Sequence, residues 1–118
     1  MEAEAHFVVP GPPVPWERAQ RGRHGSFAAP RTRAYQESIA WAFAACAGAW
    51  DRTRRYSVRV EVTYADARRR DLDNQCKSIL DGLNGRAWDD DSQVDEIHIR
   101  RMPPSRTEPG MSVRIRAL

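Results

Sequence analysis

Tyr56-Ser57-Val58-Arg59-Val60-Glu61-Val62-Thr63-Tyr64 sets apolar residues at even positions against polar ones at odd positions. Side chains along a strand point alternately to opposite faces, so the stretch predicts a strand with one face on a core and the other toward solvent or a ligand. Arg59 projects from the polar face. Downstream, Leu72, Cys76, Ile79, Leu80 and Leu83 recur at the spacing of one helical face. This helix is expected to pack its leucine face on the sheet, to take Asp73 or Asn74 as N-cap, and to stop at Asn84-Gly85. Val94 to Met102 then reads as a strand, with Ile97 and Ile99 on one face and Glu96, His98 and Arg100 on the other, ended by Pro103-Pro104. Met111, Val113, Ile115 and Ala117 alternate with Ser112, Arg114 and Arg116 in a last strand. The turn-rich segment between them predicts that these two strands pair as an antiparallel hairpin.

Upstream, Ala5 to Val9 predicts a short strand ended by Pro10. Gly11-Pro12-Pro13-Val14-Pro15 must be extended. It reads as a stiff lead-out from that strand rather than as a ligand for a proline-binding domain. Residues 16–30 form a basic loop with Arg18, Arg21, Arg23 and His24, and a short hairpin is expected near Ser26 and Phe27. Such a loop is either simply solvated or touches phosphates. From Arg31 to Gly48 the pattern is helical, with Tyr35, Ile39, Ala42, Phe43 and Cys46 on the buried face and Trp41 off it. The order strand, helix, strand, helix, strand, strand gives one small α+β domain over residues 1–118, a mixed β-sheet of about four strands with two packed helices.

A chain of 118 residues can bury a core without staples. No apolar run approaches the roughly 18 residues that span a bilayer, and the acidic start Met1 to His6 does not read as a signal peptide. A cytoplasmic protein without membrane contact is expected. Cys46 and Cys76 have no metal-type spacing and are expected as buried reduced thiols. The net charge of +3 is a mild bias. Its distribution says more. Lys77 is the only lysine among nineteen basic residues, and half of the sixteen acids fall between Asp71 and Glu96. A GC-rich genome accounts for most of the arginines. An acidic centre flanked by arginines also suits an enzyme of polyanions, with carboxylates for metal and guanidinium groups for phosphates.

Asp71 and Asp73 flank Leu72. In extended backbone, residues two apart share a face, so Leu72 can anchor the segment while both carboxylates project together. Two such carboxylates repel unless a cation sits between them. Mg²⁺ suits the spacing, because it takes one or two protein carboxylates and completes its octahedron with water and phosphate oxygens. Asp90 and Asp91 come from a separate turn and can complete a site for one or two metals. Lys77, one turn after Asp73, is either a surface partner of Asp73 or Asp81 or a compact charge for a phosphate or a leaving group. An EF-hand loop, His or Cys zinc motifs, a GxSxG elbow and a Walker loop are all missing.

The run Arg70-Asp71-Leu72-Asp73-Asn74, then Lys77, Leu80-Asp81-Gly82-Leu83 and Trp88-Asp89-Asp90-Asp91-Ser92-Gln93-Val94, resembles the signature of the RusA family of Holliday junction resolvases. Val9 to Pro15 and the basic loop resemble that family's N-terminal segment. The resemblance implies a homodimeric, Mg²⁺-dependent endonuclease, with Mn²⁺ as a substitute. It would nick paired strands of four-way junction DNA in recombination and repair, as a nucleoid-associated protein of a kind often encoded by prophages. It implies metal-binding aspartates at Asp71, Asp73 and Asp91 with Asp90 close by, and a catalytic Lys77. Asp89 departs from the family pattern by adding a third acid to the usual pair, and Trp16-Glu17-Arg18-Ala19-Gln20 departs from a more basic loop. Arg68, Arg69, Arg70, Arg18, Arg21 and Arg23 are the candidate DNA contacts, with Arg59 and Arg100 as further ones. Trp16 or Phe27 could wedge a junction open, or be an ordinary core or dimer aromatic. A non-catalytic DNA-binding protein, or a metal nuclease of other branched DNA or of RNA, are the competing functions.

Overall fold

The computed structural model describes residues 3–17, 20–22, 25–27 and 30–118, the two short segments in backbone alone. The elements are β1 (Glu4–Pro10), β2 (Gln20–Gly22), β3 (Gly25–Phe27), α1 (Pro30–Ala47), β4 (Tyr56–Thr63), α2 (Leu72–Leu83), β5 (Val94–Arg101) and β6 (Gly110–Ala117). The alternation over 56–64 appears as expected: Tyr56, Val58, Val60, Val62 and Tyr64 are buried, and Arg59 and Glu61 are exposed. β2 and β3 form the short hairpin expected near Ser26 and Phe27. Gly48 (φ 59°) and Gly85 (φ 76°) terminate the helices at the positions expected, in a backbone region that favours glycine. Among the described residues no helix is long and apolar enough to cross a membrane.

The sheet is mixed and four-stranded, in the order β1-β6-β4-β5. The hairpin expected from the last two strands does not form. β5 runs parallel to β4, and β6 lies between β1 and β4, antiparallel to both. The connection explains this. Met102 N–H donates to Val62 O (2.8 Å) and Ser105 N–H to Tyr64 O (2.9 Å), so the chain after β5 stays with the end of β4. It then crosses to that strand's other side. β4 is thereby paired on both sides.

Both helices depart from the expectation. α1 buries Thr32, Tyr35, Ile39 and Phe43, whereas Ala42 is half-buried and Cys46 is exposed. Beyond Phe43 it is Ala47 and Trp50 that pack on the core, Trp50 edge-on to Phe43 (5.4 Å between ring centroids), while the Cys46 thiol donates to Phe43 O (3.3 Å). Cys76 is half-buried. The N-cap of α2 lies two residues before Asp73 and three before Asn74: Asp71 takes the position, and its side chain makes no capping hydrogen bond. Its buried face is also rotated. Gln75, Ser78, Ile79, Gly82 and Leu83 are buried, while Leu72, Cys76 and Leu80 are half-buried. Gln75 Nε2 and Ser78 Oγ donate to Val14 O (3.3 and 2.9 Å), and Tyr64 Oη donates to Gln75 Oε1 (2.9 Å). Polar side chains with buried partners sit inside without penalty. Gly82 meets α1: a Cβ there would lie 3.2 Å from that of Ile39.

Candidate active site

The break between β4 and α2 carries the first acidic pair. Asp71 is extended (φ −89°, ψ 126°), but Leu72 and Asp73 are already helical, so the extended Asp71–Asp73 segment expected to put both carboxylates on one face does not form; both aspartates are exposed at the start of α2. Asp73 accepts a hydrogen bond from Asn74 N–H (3.0 Å). The positive end of the helix dipole favours both carboxylates at this place. No ion pair engages either of them among the described residues.

The three consecutive aspartates have three different environments. Asp89 pairs with Arg52 (3.6 Å). Asp90 caps the 3-10 turn Asp91–Gln93, accepting from Ser92 N–H (3.0 Å), and the Ser92 side chain, then this N–H, holds its carboxyl below the usual range. Asp91 is half-buried and accepts from Trp88 Nε1–H (2.8 Å). Trp88 is wholly buried against Tyr56 (5.6 Å between centroids), so the donor that orients Asp91 is itself fixed by the core. Gln93 secures the turn: its Oε1 accepts from Asp89 and Asp90 N–H (3.0 Å each), and its Nε2 donates to Arg52 O and Arg54 O (2.7 and 2.8 Å).

The second turn and α2 meet electrostatically at Asp81. Burial and then the charge of Asp91 push its carboxyl above the usual range, and Lys77 partly offsets them. Lys77 is exposed, and it forms neither of the expected surface bridges. No carboxylate among the described residues lies within ion-pair distance of its Nζ, which instead sits 3.8 Å from the centroid of the Trp16 ring.

A family model described as Endodeoxyribonuclease RusA matches residues 10–116. The chain belongs to this family. Comparison with curated proteins finds no match. The RusA match runs from the end of β1 nearly to the end of β6, so it contains both acidic segments and every element around them. Membership makes this an endodeoxyribonuclease fold, and phosphodiester cleavage the chemistry its side chains have to serve.

No group of three or more His, Cys, Asp or Glu side chains among the described residues forms a ready cage for a metal ion. The donor set still fits Mg²⁺. That ion rarely uses an all-protein cage and keeps waters and substrate phosphates beside one or two carboxylates. Asp71 and Asp73 offer hard oxygens that no internal cation neutralises among the described residues, and Asp91 offers one held by an indole donor.

The arginine run divides. Arg70 turns inward: it pairs with Asp66 (2.8 Å) and its guanidinium lies 4.4 Å from the Tyr64 ring centroid. Arg101 lies over the same ring (5.8 Å) and donates to Arg70 O. The hydrogen bond from Arg70, then that from Arg68 N–H, holds the Asp66 carboxyl low. Arg68, which also pairs with Asp66 (3.6 Å), and Arg69 are exposed, as are Arg59 and Arg100. Arg18 and Arg23 and the side chains of Arg21 and Phe27 lie outside the described residues. Sequence reasoning missed Asp66, Gln93 and Trp88 as supports, because alternation and motif spacing do not encode hydrogen-bond partners. It had Asp81 only as a possible partner of Lys77.

Proposed function

We propose that this protein is a Mg²⁺-dependent endonuclease that resolves four-way DNA junctions, acting as a homodimer in recombination and repair. The observation that carries this reading is the pair Asp71 and Asp73, exposed and free of internal ion pairs among the described residues, in a chain of an endodeoxyribonuclease family. Resolution needs two symmetrical nicks, hence two sites related by a twofold axis.

In this reading Asp71 and Asp73 hold the metal from one short segment, and Asp91 does so from the other. Bound there, Mg²⁺ would lower the pKa of an attacking water and offset charge on the phosphate. Trp88 keeps the Asp91 carboxylate aimed by occupying one of its oxygens, and Asp90 supports the turn rather than the metal. Lys77 brings a compact charge with three donors to the phosphate or the leaving oxygen. Arg68 and Arg69 hold flanking phosphates, which positions the DNA without reading bases. Arg70 braces the loop that presents them.

The test is cleavage of synthetic four-way, three-way and linear DNA, and of a branched RNA, with Mg²⁺ or with chelator. Paired nicks in the four-way junction that require Mg²⁺ are expected. Equal cutting of linear DNA or RNA would refute junction selectivity. Junction binding without any cutting would favour the non-catalytic reading.

A further inference from the structure

The proline-rich segment after β1 is bound along one side of α2. Val14 O accepts from Gln75 Nε2 and Ser78 Oγ, and Trp16 N–H donates to Asn74 O (2.9 Å). Gln75 and Ser78 are wholly buried, so this fastening is internal rather than a loose surface contact. It delivers the Trp16 indole to the one lysine of the chain, 3.8 Å from Nζ to ring centroid.

We infer that Trp16 is a positioning residue for Lys77, which rests on the nuclease reading above. A lysine side chain has four rotatable methylenes, and a fixed geometry costs rotamer entropy. The ring face attracts the ammonium without neutralising it as a carboxylate partner would, and takes up at most one of its N–H groups. Lys77 is therefore restrained on the face of α2 that carries Asp73 and Asp81, with its full charge and at least two donors left for a phosphate. The segment 11–17 becomes part of the active site through the lysine it holds.

The single lysine supplies its own probe. In protein labelled with ¹³C-lysine, one Cε signal is expected, shifted upfield by the indole ring current. Trp16→Leu should return that signal to the solvent-exposed position, and Trp16→Phe should keep part of the shift. In single-turnover cleavage of a four-way junction, Trp16→Leu should cut about five- to tenfold more slowly, with an unchanged junction Kd. Trp16→Phe should recover most of the rate. In a Lys77→Met background, Trp16→Leu should cause no further loss. An unshifted lysine signal in the native protein overturns the inference. So does wild-type cleavage by Trp16→Leu, or a loss confined to Kd, which would mark Trp16 as a DNA-contacting wedge. If the native protein cuts nothing, the nuclease reading fails and the positioning role with it, although a ring-shifted signal would still establish the contact.

Discussion

Trp88→Phe separates the orienting of Asp91 from the packing of the core. The phenyl ring keeps the contact with Tyr56 but removes the Nε1–H that donates to Asp91 at 2.8 Å. An indole exceeds a phenyl by roughly 40 Å³, and at about 24 cal/mol per Å³ the cavity costs about 1 kcal/mol. The lost hydrogen bond adds about 1 kcal/mol, below the roughly 1.5 kcal/mol or more usual for a charged acceptor, because water can reach the half-buried Asp91. Urea denaturation should therefore show about 2 kcal/mol less stability, with an unchanged m-value. The functional effect should be larger in kind. Removing an outer partner of a metal ligand typically costs about 10- to 100-fold in metal affinity or activity. The Mg²⁺ concentration for half-maximal cleavage should rise by that order. A variant that loses stability but keeps the native Mg²⁺ dependence would refute the assignment of Asp91 to the metal. A loss no larger than the roughly 1 kcal/mol cavity contribution would refute the hydrogen bond itself.

Gln75→Leu should cost about 2 kcal/mol, because it strands the buried Tyr64 hydroxyl, whereas Ser78→Ala should cost about 1 kcal/mol since Val14 O keeps Gln75 as donor; paired urea curves check the ranking. Arg70→Ala should lower stability through the lost Tyr64 and Asp66 contacts, whereas Arg69→Ala should leave it within about 0.5 kcal/mol. The depressed Asp66 carboxyl stabilises the fold above the usual carboxylate range and loses that contribution as pH falls. Arg70→Ala should therefore also flatten the acid limb of a stability-against-pH curve. If about six phosphates are engaged, log Kd against log salt should have a slope of about 5 in magnitude, reduced by about 1 in Arg69→Ala; a flat response would contradict the arginine contacts.

The legible parts of the fold were those written in periodicity. β4 alternates strictly, and both helices end at glycines where the sequence places them. The order of the sheet was not legible, because short-range turn rules favour pairing neighbours in sequence. The hydrogen bonds of Met102 and Ser105 along the end of β4 are long-range facts. Likewise, hydropathy assigned the face of α2 to Cys76 and Leu80, where Gln75 and Ser78 are buried because Val14 and Tyr64 lie opposite them. In the candidate site the residue types were legible and their states were not. Three adjacent aspartates look equivalent in sequence, yet one pairs with Arg52, one caps a turn, and one meets an indole. Lys77 stood out by composition alone, while its partner Trp16 lies 61 positions earlier in the chain.

Asp73→Asn tests the central claim most directly. The substitution is nearly isosteric at an exposed position with no ion pair to lose among the described residues, so the fold should be undisturbed. Cleavage of a four-way junction in Mg²⁺ should be abolished. Binding of the same junction without metal should hold or tighten slightly, since a negative charge beside the phosphates has gone. Cutting at the native rate would contradict the placement of the metal at Asp71 and Asp73.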